Sequence, residues 1–534
     1  MKPPLSTLAA LALCLVPAVQ GEARPPAAPT VTTESGQVEG VAQASGGQVF
    51  MGIPYAAPPV RDLRWKAPRP AAAWTGVFHA DRFGPQCIQP LRNAQANQYG
   101  GAEVTSEDCL YLNVWTRPGL RKAPVIVYIH GGAFFIGSSA MPIYGGEAVA
   151  AQGAVFVNFN YRLGALGFLA HPELSAESPQ KVSGDYAFLD QIAALQWVRR
   201  NIARFGGDPD NVTIAGQSAG SMSVQVLQAS PLAKGLFKHA FAMSGAAAGG
   251  PSPTPPLAQA EQEGVKLQTV LHARSLAELR AMPADRIVVP RTADGPKIGP
   301  VQDGYVLPES IEQTFQRGRQ NDVPLVVGFT HDESFGGLGP VRDLPDYLAK
   351  ARARFGDRAP EFLALYPASD DAAARDAARA ADRDATMAAG MGHWADLAVA
   401  NGKAKVYSYE FARPHSYAPG AKFSDLDPAT AGAYHTSEVP FWLGTLDSFN
   451  IYRTTRAWTP ADHAFSTEMT RSLVAFARTG NPDTTAMIWR PYTPDAPVLL
   501  GLNQVARIMP WPERRKLEFF RSLGQAQAVG AVRD

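Results

Sequence analysis

Residues 211–220 read Asn211-Val212-Thr213-Ile214-Ala215-Gly216-Gln217-Ser218-Ala219-Gly220. An apolar, β-branched run that stops abruptly at G-x-S-x-G is a strand feeding a sharp turn into a helix. Such a turn is strained, so small residues must flank the serine. The geometry lifts Ser218 Oγ out of the sheet edge and points the N-terminus of the following helix at it. That is the arrangement an acyl-transfer nucleophile needs.

Outward from this point, strands alternate with helical stretches. Val125–Ile129 and Ala154–Phe159 are continuous apolar runs, as expected of strands covered on both faces. The segment Asp185 to Arg204 carries Ala187, Phe188, Ile192, Leu195, Val198 and Ile202 at helical spacing. Further strands are predicted at Phe241–Met243, Leu325–Phe329 and Val406–Tyr409. The alternation predicts an α/β protein with a central, mostly parallel sheet flanked by helices. Pro 45 and Gly 48 add long loop and helical insertions. Residues 246–256 read as a Gly/Pro/Ala-rich surface loop, and the Ala-rich, mixed-charge residues 370–384 as a solvated helix. There are no internal repeats and no linker, so residues 24–534 are expected to form a single domain.

Composition narrows the function. Of 534 residues, 46% are hydrophobic and 18% charged, with 49 basic against 48 acidic side chains and a formal charge of +1. No basic surplus points to nucleic acid and no run of one sign forms a tail. At the N-terminus, Lys2 precedes the apolar run Leu5 to Val16 and a small-residue region from Ala18 to Ala23. This matches a secretory signal peptide over residues 1–23, too short for a permanent span. No later stretch could cross a membrane as a helix, and the product is expected to be secreted or periplasmic. Beyond Cys14, inside that run, two cysteines remain, Cys87 and Cys109. An even count in an exported chain favours a disulfide, whose loop closure contributes about 3 kcal/mol.

A nucleophilic serine needs an oxyanion hole, a base and an acid that orients the base. His130-Gly131-Gly132-Ala133-Phe134 follows directly on the Val125–Ile129 strand. Its glycines let backbone N–H groups approach a substrate oxygen without a Cβ in the way. Gly131 and Gly132, with the N–H of Ala219, supply the donors; losing one costs about 3–4 kcal/mol of transition-state stabilisation. Among the ten histidines, His130 reads as a member of this turn. His435, late in the chain and on a loop, is where a base should sit, and His393 stays as its rival. Ser178-Pro179-Gln180-Lys181 matches S-x-x-K without its companion motifs and reads as a surface loop. No clustered His/Cys spacing and no phosphate-binding glycine loop occurs, so neither metal nor cofactor is expected.

The chain resembles the type-B carboxylesterases, a branch of the α/β-hydrolase superfamily that includes cholinesterases and lipases. The likeness runs through Phe50-Met51-Gly52-Ile53-Pro54-Tyr55-Ala56, Leu63-Arg64-Trp65, the signature Glu107-Asp108-Cys109-Leu110-Tyr111-Leu112-Asn113-Val114, Asn160-Tyr161-Arg162-Leu163-Gly164, and Phe205-Gly206-Gly207-Asp208-Pro209 leading into the serine signature. It implies the α/β-hydrolase fold and a disulfide between Cys87 and Cys109. It also implies Glu333, in Thr330-His331-Asp332-Glu333-Ser334, as the acid, with Ser334 in place of the usual glycine. His435, in His435-Thr436-Ser437-Glu438-Val439-Pro440-Phe441, is implied as the base. The order Ser218, Glu333, His435 is that of the fold.

The activity so implied is hydrolysis of carboxylic esters through an acyl-enzyme, with amide hydrolysis or a non-catalytic binding module as alternatives. Cholinesterases carry a tryptophan in the first disulfide loop and an acidic residue before the nucleophile. This chain has only Tyr99 as an aromatic between its cysteines, and neutral Gln217. Both departures weaken cation binding and favour small-molecule esters that are uncharged, including aromatic or xenobiotic ones. Phe134, Phe135, Ser221, Met387, Met391 and Trp394 are the candidate pocket residues by the same resemblance.

Overall fold

Eleven strands form one sheet in the computed structural model, which describes residues 28–530 except 92, 101–102, 250–253, 293 and 335–336. The targeting segment 1–23 and part of the 246–256 loop lie outside the described residues. In chain order the strands are β1 (Val41–Ala42), β2 (Gln48–Pro54), β3 (Tyr111–Thr116), β4 (Ala123–Ile129), β5 (Val155–Phe159), β6 (Gly207–Gln217), β7 (His239–Met243), β8 (Leu325–Thr330), β9 (Val406–Phe411), β10 (Val498–Leu502) and β11 (Ala506–Pro510). Their spatial order is β11-β10-β9-β8-β7-β6-β4-β5-β3-β2-β1. From β10 across to β5 the neighbours are parallel. The pairs β10–β11, β5–β3, β3–β2 and β2–β1 are antiparallel.

The unbroken apolar runs have a simple cause. Val125, Val127 and Ile129 of β4 face one core layer, and Ile126 and Tyr128 face the other. Both faces are covered, so both alternating sets must be apolar. The predicted helix after β5 spans α1 (Tyr186–Asn201) and ends in a 3-10 turn, Ile202–Phe205, closed by Gly206 at φ 85°. The Ala-rich segment is a helix, Asp371–Arg383, that buries Ala374, Ala378 and Ala381. It runs into a π-helical turn, Asp384–Ala388.

Five sheet strands were not among those predicted, β1, β2, β3, β10 and β11, and all of them lie outside the six inner strands β4 to β9. Cys87 and Cys109 are joined, with Cα atoms 5.0 Å apart. Among the described residues no helix is long and apolar enough to cross a membrane.

Candidate active site

The elbow at the end of β6 is built from close contacts that only glycine permits. Ser218 takes φ 58° and ψ −123° and caps helix α2 (Ala219–Ala229). Such a conformation costs about 1–3 kcal/mol for a residue with a Cβ and persists only where the surroundings enforce it. Here Ser218 N–H donates to Met243 O at 2.8 Å, and Ser218 O accepts from Met222 N–H at 2.9 Å. A Cβ on Gly220 would lie 2.0 Å from Ile129 O, and one on Gly216 would lie 2.5 Å from the Gly220 carbonyl. The two glycines therefore let helix and strand touch, which holds the serine up. A Cβ on Gly245 would meet Ser218 O at 2.2 Å. Ser221, one of the candidate pocket residues, instead donates its hydroxyl to Gly245 O at 2.6 Å and is fully buried.

Glu333 leaves the end of β8 and is 1% exposed. Its Oε1 accepts from the Thr330 hydroxyl at 2.8 Å, and its Oε2 accepts from His435 Nδ1–H at 2.7 Å. The turn is stitched to the histidine loop by Asp332. That residue accepts from Ala433 N–H at 2.8 Å and donates its own N–H to Ala433 O at 3.1 Å. Because Glu333 accepts the hydrogen bond of Nδ1–H, Nε2 of a neutral His435 carries the lone pair. Gln217 Nε2–H, from the residue before Ser218, donates to this nitrogen at 3.1 Å. His435 thus spans Glu333 and the elbow. Burial pushes its imidazolium down, but the charge and hydrogen bond of Glu333, with a smaller push from Glu438, more than reverse this. Its pKa lies above the ordinary 6.5.

A second carboxyl group stands behind the histidine. Glu438 is fully buried and accepts at Oε1 from the Ser244 hydroxyl at 3.0 Å. Burial and the nearby Glu333 charge push it up to about 7. The sequence pattern located this residue only as part of the motif after His435. Its role depends on β7 delivering Ser244, which no local signal reveals.

The turn after β4 has an unusual backbone. Gly132 takes φ 114°, Ala133 φ 56° and Phe134 φ 59°. A Cβ on Gly131 would lie 3.1 Å from Ser218 Cβ, so the turn sits against Ser218. No backbone or side-chain acceptor among the described residues takes the N–H groups of residues 131 to 134. Ala133, exposed and next to Gly132, is therefore a free donor that the glycine pattern did not single out. Ala219 N–H opens α2, where a helix cannot bond its own first donors. His130 sits beneath the turn, stacked on Tyr161 at 4.4 Å, with Nδ1–H donating to Gly131 O at 2.9 Å. Burial lowers its pKa to about 4, so it remains neutral.

The candidate pocket residues divide. Phe134, Met391 and Trp394 are buried in the core, with Phe134 packed edge-on against Phe168 and Phe188. Phe135 and Met387 are half-buried. The rival His393 pairs with Glu312 at 2.6 Å on the short helix Ile311–Gln316, away from the elbow contacts. His331 contacts Asp332 and Glu410.

The disulfide loop folds over the site. Gln89 exchanges two hydrogen bonds with the Gly137 backbone, at 2.7 and 2.8 Å. Gln98 bonds the hydroxyl of Thr436, next to His435. A cavity of about 610 Å³ opens under this loop, lined by Gln86, Tyr99, Val104, Met141, Tyr452 and Arg453 among others. It shares Gly137 with the turn after β4 but includes none of Ser218, Glu333 and His435. Tyr452 meets Tyr99 edge-on at 5.0 Å, so a second aromatic reaches the loop from a distant segment. Among the described residues no cluster of His, Cys, Asp and Glu could hold a metal ion.

The model of the carboxylesterase family matches residues 27–520. A fumonisin B1 esterase of Sphingopyxis macrogoltabida is 38% identical over 462 residues, covering 84% of this chain and 82% of that protein. The para-nitrobenzyl esterase of Bacillus subtilis (strain 168) is 35% identical over 516 residues, covering 93% and 99%. A solved structure of a PNB esterase superposes with a TM-score of 0.73 at 33% identity, covering 91% of this chain and 99% of that one.

Proposed function

This chain belongs to the carboxylesterase family and is a carboxylic-ester hydrolase, and we propose that it works as a serine esterase with Ser218, His435 and Glu333 as its triad. The observation that carries this reading is the position of His435. Its Nδ1–H is held by Glu333 at 2.7 Å, and its Nε2 lies 3.1 Å from the side chain of Gln217, the residue before Ser218.

In the proposed reaction, His435 Nε2 takes the Ser218 proton as Oγ attacks the ester carbonyl carbon. The carbonyl oxygen becomes an oxyanion, stabilised by N–H groups of Gly131, Gly132 and Ala133 and by that of Ala219. As the tetrahedral intermediate collapses, the bond to the alkoxy oxygen breaks and His435 protonates the leaving alcohol. Water, deprotonated by the same nitrogen, then attacks the acyl-enzyme and releases the acid. Glu333 keeps the imidazole in its working tautomer and stabilises the imidazolium without taking the proton.

The substrates are uncharged small-molecule esters, aromatic or xenobiotic ones included. Neutral Gln217 and the tyrosine-lined cavity beneath the disulfide loop support this, as does a relative named for para-nitrobenzyl esters. The enzyme is exported after loss of residues 1–23, and residues 24–534 act as one catalytic domain. Hydrolysis of p-nitrophenyl acetate, butyrate and octanoate by the mature chain, beside Ser218→Ala, tests the reading. Turnover lost in the variant is expected; equal turnover in both proteins would overturn it.

A further inference from the structure

Every carbonyl of the turn after β4 is held by a donor. Gly131 O accepts from His130 Nδ1–H at 2.9 Å. Gly132 O accepts from the N–H groups of Phe135 and Ile136, each at 3.0 Å, and Phe134 O accepts from Gly164 N–H at 2.7 Å. Ala133 O accepts from Arg291 Nη2–H at 2.8 Å. With the carbonyls anchored on one side, the N–H groups of residues 131 to 134 meet no protein acceptor among the described residues, which is what an oxyanion site requires.

The four anchors are not equivalent. Those on Gly131, Gly132 and Phe134 come from the neighbouring residue, the turn itself and a backbone group. The anchor on Ala133 is a side chain 158 positions away in sequence, on an irregular segment after the short helix Ala284–Ile287. Its guanidinium also stacks on Phe135, with Cζ 4.8 Å from the ring centroid, so two successive parts of the turn are gripped at once. The peptide it holds joins Ala133 and Phe134, both at positive φ without being glycine. Each such residue favours relaxation to another backbone state by about 1–3 kcal/mol. The Ala133 peptide is thus strained, exposed and restrained by one side chain.

We infer that Arg291 is a positioning residue for the esterase reaction: by pinning the Ala133 carbonyl it fixes the backbone of Ala133, so that this residue's own N–H, one peptide earlier, stays aimed at the developing oxyanion. The inference rests on the serine-esterase reading above. Arg291 touches no reacting atom in this scheme and contributes through the turn. Its loss leaves ground-state binding of a neutral ester intact and weakens stabilisation of the tetrahedral species.

The test compares Arg291→Ala, Arg291→Gln and Arg291→Lys with the unaltered protein and with Ser218→Ala. Each is assayed on p-nitrophenyl butyrate, with inhibition by a trifluoromethyl ketone, whose serine adduct bears the oxyanion. For Arg291→Ala, kcat is expected to fall about ten-fold, short of the hundred-fold or more that marks outright loss of a donor. KM should stay within about two-fold, and the ketone Ki should rise in step with the kcat loss. Arg291→Gln and Arg291→Lys each retain an N–H donor and should recover part of the rate. Unchanged kcat in Arg291→Ala, or an unchanged ketone Ki, would overturn the inference. Recovery by Lys alone would also overturn it, because charge and not the tether would then govern the rate. An active Ser218→Ala would instead bring down the serine reading itself, so the two failures are distinct.

Discussion

Replacing Gly131 by alanine tests the contact between the turn and Ser218, the proposed nucleophile. The added Cβ would stand 2.7 Å from Gln217 O, 3.0 Å from Gln217 Oε1 and 3.1 Å from Ser218 Cβ. Carbon–oxygen contacts settle near 3.3–3.6 Å, so about 0.6 Å must be found. The Gln217 side chain can yield, but its carbonyl belongs to the end of β6, in register with Met243 of β7. The turn must therefore retreat from the serine. Oxyanion donors act over a window of only about 2.7–3.1 Å, and a displacement of about 1 Å costs on the order of a hundred-fold in rate. A retreat of about 0.6 Å predicts a kcat loss of roughly ten-fold or more, with KM nearly unchanged. Overpacking should cost about 1–3 kcal/mol of stability. Steady-state hydrolysis of p-nitrophenyl butyrate and a thermal melt read the two effects. Gly145→Ala is the control: it has φ −64°, and its nearest contacts would be 3.7 Å away. Full activity in Gly131→Ala, or an equal loss in Gly145→Ala, would refute the reasoning.

Other consequences follow from the same geometry. Glu333→Gln should lower kcat by about 10⁴-fold by freeing the wrong histidine tautomer, measured against p-nitrophenyl esters in a folded sample. Because His435 must be neutral to act and its pKa is raised above 6.5, the acid limb of kcat/KM should lie above that pH. Gln217→Glu should move the limb further up, since a carboxylate then faces Nε2; a limb that moves down would contradict the assigned contact. Glu438, pushed up to about 7, binds its proton more tightly in the folded chain than in the unfolded one. Its contribution to stability is full below the ordinary value of 4.5 and is lost as pH rises to about 7, so melts of Glu438→Gln should show less decline over that interval. Reducing Cys87–Cys109 should lower stability by about 3 kcal/mol. It should also lower activity, because the released loop holds Gly137 and Thr436.

Much of this was legible in the chain. G-x-S-x-G after a β-branched run and a glycine pair after a buried strand are local requirements of backbone geometry: no other residue lets Gly220 approach Ile129 O. Period and burial likewise wrote the inner strands, because a strand covered on both faces must be apolar throughout. The acid and base were reached through motif resemblance, and the ring bridge from Glu333 to the elbow emerged only when β8 and the His435 loop were brought side by side. Phe134, Met391 and Trp394 look like pocket residues in sequence and lie in the core. An apolar side chain carries no sign of whether a cavity or another side chain will face it.

What tertiary structure alone decided are the long-range pairings: Glu438 with Ser244, Gln98 with Thr436, Tyr99 with Tyr452 and Arg291 with Ala133. Local sequence encodes the conformation a segment must adopt. Which distant group meets it is set by how the layers pack, and 158 residues separate Arg291 from the carbonyl it holds.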